Sequence, residues 1–250
     1  MADERICLVT GAGRGIGAAT AVRMSEHGHR VVLCARSTDQ LRDIASAMPG
    51  PSLVVPADLL EDGAVDDVFD TVESTWGPVE ILVANAGAGT SAPLVKTSDE
   101  QWRRMLDINL TLPFRCMRRA LPAMTEAGWG RIVVVASVAA KRGEPYIAAY
   151  TAAKHGVLGL VRSAAAEVAR KGVTVNAVCP SYVDTPMTDQ TVEAIASVTS
   201  RSPEDARAAL AAGLRGVWLD RPGRRRGGAF SEDPEAARAE GLAVITDLAG

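Results

Sequence analysis

Tyr150-Thr-Ala-Ala-Lys154, with Ser137 thirteen residues upstream, is a set of side chains able to hand a proton to a developing alkoxide. A free phenol titrates near pH ~10, too weak an acid for that task at neutral pH. Positions four apart share one face of a helix, so this spacing sets the Lys154 ammonium beside Tyr150. A neighbouring positive charge favours phenolate and lowers the phenol pKa. Ser137 closes the apolar run Arg131-Ile-Val-Val-Val-Ala-Ser137, placed to donate a hydrogen bond to the same substrate oxygen. Tyrosine and lysine at this spacing also occur by chance on many helices, so the assignment rests on the surrounding sequence.

The opening Ile6-Cys-Leu-Val-Thr10-Gly11-Ala-Gly-Arg14-Gly15-Ile16-Gly17 supplies that context. A short apolar strand runs into glycines and then into a helical pattern from Ala18 to Glu26. Glycines allow a tight turn and close backbone approach. A helix start behind them offers free N–H groups and a positive dipole end to a pyrophosphate. The spacing is GxxxGxG rather than GxGxxG. A glycine turn alone is also ordinary punctuation; with the Tyr/Lys/Ser set downstream, it reads as a dinucleotide cradle.

Together these stretches resemble the short-chain dehydrogenase/reductase family, in its branch of about this chain's length of 250 residues, over residues 4 to 213. Thr10-Gly-Ala-Gly-Arg-Gly-Ile-Gly17 is similar to the family's cofactor loop, and Asp58 in Ala57-Asp-Leu59 to the acid set against adenine. Asn85-Ala86-Gly87 is similar to the element after the fourth strand, and Asn109 in Asp107-Ile-Asn-Leu110 to the active-site asparagine. Val175-Asn-Ala-Val-Cys-Pro180 and Thr185-Pro-Met187 are similar to the segment that closes over nicotinamide. The resemblance implies catalysis by Asn109, Ser137, Tyr150 and Lys154. It implies nucleotide binding by Gly11, Arg14, Gly15, Ile16, Gly17, Arg36, Asp58, Leu59, Asn85, Ala86, Gly87, Pro180, Val183 and Thr185, with Tyr150 and Lys154. It further implies that Lys154 binds the nicotinamide ribose and that Asn109 holds a water in a proton relay to Lys154.

Six strand-like runs have to carry these residues: Ile6–Thr10, Arg30–Cys34, Ser52–Pro56, Ile81–Ala84, Arg131–Ala136 and Val173–Val178. Helical patterns lie between them at Ala18–His27, Asp39–Met48, Ala64–Trp76, Asp99–Thr125 and Tyr150–Lys171. The alternation indicates a single α/β domain built on a doubly wound, Rossmann-type parallel sheet, and the near-continuous apolar strands fit burial on both faces. Ser37 with Gln40 reads as a capping box and Ser98 as an N-cap. A further helix is expected from Ser202 to about Gly213, and a last strand at Gly241–Thr246.

Folds that select NAD usually carry an acid at the end of the second strand, on the adenosine ribose. Here Ala35 stands there, followed by Arg36, with Arg14 in the glycine loop. Two guanidinium groups favour a 2′-phosphate through charge-assisted bonds. NADP(H) is therefore expected over NAD(H), although ordinary surface arginines would look the same. His155 points about a hundred degrees away from Lys154 around a helix, which suits packing or solvent rather than base catalysis. Glu144 and Tyr146 stand just before Tyr150, and the sequence does not fix which way they face.

Composition narrows the partners. A net charge of −3 argues against a nucleic-acid ligand, and 47% hydrophobic residues supply an ample core. Cys7, Cys34, Cys116 and Cys179 are far apart with no CxxC or Cys/His ligand spacing, which suits buried thiols in a reducing cytoplasm and no metal. No apolar run approaches the ~20 residues of a membrane span, and Met1-Ala-Asp-Glu-Arg5 lacks the core of a signal peptide.

Two departures from the family stand out. Ser181 follows Pro180 where glycine is usual. Between Gly213 and Ser231 the chain reads Leu214-Arg-Gly-Val-Trp-Leu-Asp-Arg221-Pro-Gly-Arg-Arg-Arg-Gly-Gly-Ala-Phe230, which defeats the helix expected there. A remodelled loop accounts for this segment. So does a local frame disturbance in the gene, because Pro222–Gly228 can be encoded by codons whose +1 reading gives Pro-Glu-Asp-Val-Ala-Ala-Val. Disorder is expected near 215–232. Unpaired Arg224–Arg226 would weaken one family interface, leaving a homo-oligomer that is a dimer through the long helices or a tetramer in weak equilibrium with it. The expected activity is an NADP(H)-dependent ketone/secondary-alcohol oxidoreductase, foremost a 3-oxoacyl-thioester reductase. The alternatives are a catalytically silent dinucleotide binder and an NAD-linked hydroxysteroid or sugar dehydrogenase.

Overall fold

The computed structural model describes residues 4–181, 183 and 202, and the backbone of Trp218–Asp220. Its strands are β1 (Ile6–Thr10), β2 (Arg30–Ala35), β3 (Ser52–Pro56), β4 (Ile81–Ala84), β5 (Gly130–Val135), β6 (Val173–Cys179) and β7 (Trp218–Asp220). They form one sheet in the order β3-β2-β1-β4-β5-β6-β7, with β1 to β6 all parallel. The helices are α1 (Gly15–Glu26), α2 (Thr38–Ser46), α3 (Ala64–Thr75), α4 (Asp99–Leu106), α5 (Leu112–Glu126) and α6 (Ala148–Glu167).

Period-two alternation splits the strands between two apolar layers. Leu8, Val32, Leu82 and Ile132 meet Phe69, Met117, Val157 and Val161 of α3, α5 and α6. Cys7, Val9, Val31 and Leu33 meet Ala21 and Leu41 of α1 and α2 on the opposite face. Strand order reverses at β1, whose two neighbours are β2 and β4. On such sheets the crevice at the carboxyl ends beside this reversal is the ligand position.

The six parallel strands match the expected runs to within a residue. Three expectations need correction. The helix expected over Asp99–Thr125 is interrupted by one wide π turn at Asp107–Thr111, where the Leu112 N–H reaches back to the Asp107 carbonyl. The full capping box sits at Ser98–Gln101, while Ser37 caps Gln40 in one direction. The reason is that the Gln40 side chain turns toward Gly13: a Cβ built on Gly13 would stand 3.0 Å from its Oε1. Finally, the segment expected to be disordered holds β7, antiparallel to β6 and paired from Cys179↔Trp218 to Ala177↔Asp220. An outer strand presents unpaired N–H and C=O groups, and pairing satisfies them. The expected helix after Ser202, the Arg224–Arg226 cluster and the strand at Gly241–Thr246 lie outside the described residues.

Candidate functional site

The cradle forms where β1 ends. Gly11 and Gly15 hold positive φ of 68° and 57°, which glycine alone adopts without strain. Arg14, in extended conformation, precedes α1 without capping it by side chain, so the first amides of the helix keep their N–H groups for a ligand. A methyl group on Gly17 would overlap the Gly11 carbonyl. Thr10 ties this turn to the next strand: its hydroxyl accepts from Asn85 N–H and Ala86 N–H, both at 3.0 Å. Asn85 returns the tie, its Nδ2 donating to the carbonyls of Thr10 (2.9 Å) and Gly11 (3.2 Å).

Along the same edge, Arg36 is exposed immediately after β2, and Arg14 is exposed across the turn. Asp58 accepts from the Leu60 N–H at 3.1 Å, and Leu59 is buried beside it. Free helix amides, glycines packed without room for a Cβ, and two exposed guanidinium groups fit a phosphorylated dinucleotide.

The second half of the site gathers on α6. Lys154 is 4% exposed, and its Nζ donates to the Val135 carbonyl at 2.9 Å. Burial lowers its pKa from 10.5 to about 8, with nearby Cys179 pulling weakly the other way. The same nitrogen lies 5.6 Å from the centre of the Tyr150 ring. Ser137 follows the end of β5, and its Oγ accepts from the Ala139 N–H at 3.1 Å. With one lone pair engaged, the hydroxyl keeps its proton for another acceptor. The Val138 N–H donates to the Pro180 carbonyl at 2.9 Å, fastening the Ser137 segment to the end of β6.

Asn109 is fully buried within the wide turn. Its Nδ2 donates to Ala88 O (2.9 Å) and Met105 O (3.1 Å), and its Oδ1 accepts from Ala88 N at 3.4 Å. A Cβ on Gly87 would stand 3.0 Å from Asn109 Oδ1 and 3.7 Å from Lys154 Nζ. Gly87 is thus where the asparagine and the lysine meet.

The structure therefore brings Asn109, Gly87 and Lys154 together, sets Tyr150 beside Lys154, and places Ser137 two residues beyond the carbonyl that Lys154 holds. Gly11, Gly15, Ile16, Gly17, Asn85 and Ala86 assemble the cradle. Val183 is half-buried, and Thr185 lies outside the described residues. His155 is exposed with Nδ1 against the Thr151 carbonyl at 2.9 Å, as its helix position predicts. Glu144 pairs with Arg142 at 2.6 Å. Sequence reading missed the structural work of the Thr10 hydroxyl and the Val135 carbonyl. A polar side chain flush at the end of an apolar strand was the available signal for the first; a backbone acceptor leaves none. A groove of about 450 Å³ near Arg119 and Glu73 holds none of these residues.

Sheet order, cradle and Tyr–Lys helix together define a doubly wound oxidoreductase. The chain belongs to the short chain dehydrogenase family, whose profile matches residues 5–196 and stops short of the unusual 213–231 segment. It is 39% identical over 185 residues to the 3-oxoacyl-[acyl-carrier-protein] reductase MabA of Mycobacterium avium, covering 74% of this chain and 69% of that one. It is 36% identical over 193 residues to the D-beta-hydroxybutyrate dehydrogenase of Rhizobium meliloti, covering 75% of each. Among solved structures, a tryptophan variant of actinorhodin polyketide ketoreductase with NADPH superposes with a TM-score of 0.80 at 36% identity, covering 84% of this chain and 82% of that one.

Proposed function

We propose that this oxidoreductase uses NADP(H) to interconvert ketones and secondary alcohols, and that its substrates are 3-oxoacyl thioesters carried on acyl carrier protein or coenzyme A. The observation that carries the reading is the buried Lys154, held by Val135 O with its charge beside the Tyr150 ring. A cation kept there favours the ionised phenol and so makes Tyr150 a usable acid near neutral pH. A dinucleotide held by the Gly11–Gly17 cradle would supply the hydride. Tyr150 gives its phenolic proton to the carbonyl oxygen as charge develops on it, and Ser137 donates to that same oxygen. Asn109 holds the 87–88 backbone against Lys154, the position from which a water relay would reprotonate Tyr150. Asn109 and Lys154 meeting at Gly87, with Lys154 beside Tyr150, support catalysis over a catalytically silent binder.

The NADPH-bound ketoreductase neighbour and the exposed Arg14 and Arg36 support NADP(H). Similarity to a hydroxybutyrate dehydrogenase favours a second reading, a dehydrogenase of small hydroxy compounds, which cofactor preference would separate from the first. NADPH oxidation with acetoacetyl-CoA tests the proposal directly. Tyr150→Phe should lower kcat by ~10²-fold or more while nucleotide affinity stays within about threefold. A variant keeping more than about a tenth of wild-type turnover would remove Tyr150 from the acid's role.

Assembly as a homo-oligomer is supported by Trp102 on α4 and Phe114 on α5, 40% and 42% exposed. Light scattering at micromolar protein should show a dimer, or a dimer–tetramer equilibrium; a concentration-independent tetramer would contradict the expected weakening by Arg224–Arg226. Four buried free thiols suit a cytoplasmic location, and no helix among the described residues is long and apolar enough to cross a membrane.

A further inference from the structure

The glycine turn packs against the corner where β2 gives way to α2. The Ala12 N–H donates to the Cys34 carbonyl at 3.1 Å, which fixes the turn to the end of β2. A Cβ on Gly13 would stand 3.6 Å from the Ala35 Cβ, and 3.3 Å and 3.0 Å from the Cβ and Oε1 of Gln40. The Gln40 side chain therefore lies along the turn with its oxygen toward Gly13. Its backbone is held as well, because the Ser37 hydroxyl accepts from the Gln40 N–H at 3.4 Å and caps the first turn of α2.

Arg14 follows Gly13 and Arg36 follows Ala35, so two exposed guanidinium groups start from either side of this contact. Among the described residues, neither has a carboxylate within ion-pair range, and the Gln40 carboxamide has no hydrogen-bond partner. Asp39, the acid of the first turn of α2, pairs instead with Arg42 at 4.0 Å. With its oxygen against the glycine, Gln40 offers the N–H groups of Nε2 outward, and arginine side chains carry donors alone. The corner thus presents donors from three side chains and no acceptor. That set suits an anion, and it denies a ribose 2′-hydroxyl the acceptor it usually meets.

The three donors differ in how they are held. Arg14 and Arg36 lose rotamer freedom when a ligand orders them. Gln40 is also open to solvent, but its chain is braced along Gly13 before any ligand arrives. A donor placed in advance gives more affinity for the same bond.

We propose that Gln40 donates through Nε2 to the 2′-phosphate of the adenosine ribose and is, with Arg14 and Arg36, a specificity-determining residue for the phosphorylated dinucleotide. The inference rests on the NADP(H) reading above and adds to its two cations a neutral, pre-placed donor.

The test measures dissociation constants for NADPH and NADH, by coenzyme fluorescence, in wild type, Gln40→Ala and Gln40→Glu. Both substitutions keep the backbone N–H that Ser37 accepts. Gln40→Ala should weaken NADPH about tenfold and NADH less than about twofold, as loss of a hydrogen bond to a charged group implies. Gln40→Glu should weaken NADPH by about thirtyfold or more, because a carboxylate there repels the phosphate, and added salt should narrow that gap. Equal losses with both coenzymes would mean that Gln40 only braces the glycine turn, and overturn the proposal. So does NADPH binding left unchanged, or a loss in Gln40→Glu without one in Gln40→Ala, which would be repulsion alone. The wild-type ratio of the two constants judges the cofactor reading separately, and parity between NADPH and NADH would sink it. The variants then still decide the inference: a loss confined to NADPH in both supports it, and any other pattern overturns it.

Discussion

Lys154→Met should make this protein more stable and inactive at once. The wild-type side chain is buried, and its pKa falls from 10.5 to about 8 because the charged form is desolvated. At ~1.4 kcal/mol per tenfold change, that fall costs the folded state about 3 kcal/mol at neutral pH, where the lysine is charged in both states. Methionine keeps the unbranched stem and removes the charge, but it leaves the Val135 carbonyl without its donor, a loss of about 1–3 kcal/mol. The net expectation at pH 7 is a variant more stable by about 1 kcal/mol. The pH dependence is the sharper test. Between about 8 and 10.5 the unfolded lysine keeps its proton while the folded one sheds it, so wild-type stability rises with pH through this window. Cys7, Cys34 and Cys116, pushed up from 9.0 to about 12 by burial, act in the opposite sense above pH 9. They are present in both proteins and cancel in the difference. Urea denaturation of both proteins from pH 7 to 10, at one protein concentration and without nucleotide, should show wild type gaining about 2–3 kcal/mol on the variant. A flat difference curve would show that Lys154 is not buried as a charge, and the tuning argument for Tyr150 would fall with it.

Two further outcomes are expected. Arg36→Asp should shift the kcat/KM ratio from NADPH toward NADH, since a carboxylate repels a 2′-phosphate and can accept from a ribose hydroxyl; an unchanged ratio would make Arg36 a bystander. Thr10→Val takes the acceptor from the part-buried Asn85 and Ala86 N–H groups and should cost about 1–3 kcal/mol in chemical denaturation, with Thr10→Ser largely retaining stability. A valine variant within about 0.5 kcal/mol of wild type would mean that other acceptors take over both donors.

β1, β2 and β4 were legible because they are buried on both faces, so their apolar runs are continuous, while β5 and β6 bury every second residue and show the alternation of a strand. Tyr150, Lys154 and Ser137 were legible because helix spacing and strand ends fix where such residues face. What escaped was set by partners distant in sequence. The wide turn at Asp107–Thr111 depends on Asn109 bonding to Ala88, and local propensity carries no trace of that. Gln40 was read from its spacing to Ser37, yet its side chain turns to Gly13 across the cradle. The positive φ of Tyr146 is held by a bond from Ala92, fifty-four positions away, and nothing in Glu144-Pro-Tyr-Ile147 announces it.

The wide turn between α4 and α5 holds one residue more than an ordinary helical turn would. Wound as a regular α-helix, at about 100° a residue, the same residues would carry α4 round by nearly that angle relative to α5; the wide turn absorbs the surplus position and keeps the two helices in phase. Met105, now 2% exposed, would otherwise leave the interior, and Asn109 would lose its aim at Ala88. The shape of the turn thus lets one extra residue enter the helix without turning either flank away from the core. Removing that one residue should therefore keep Met105 buried, whereas adding another should turn α4 outward.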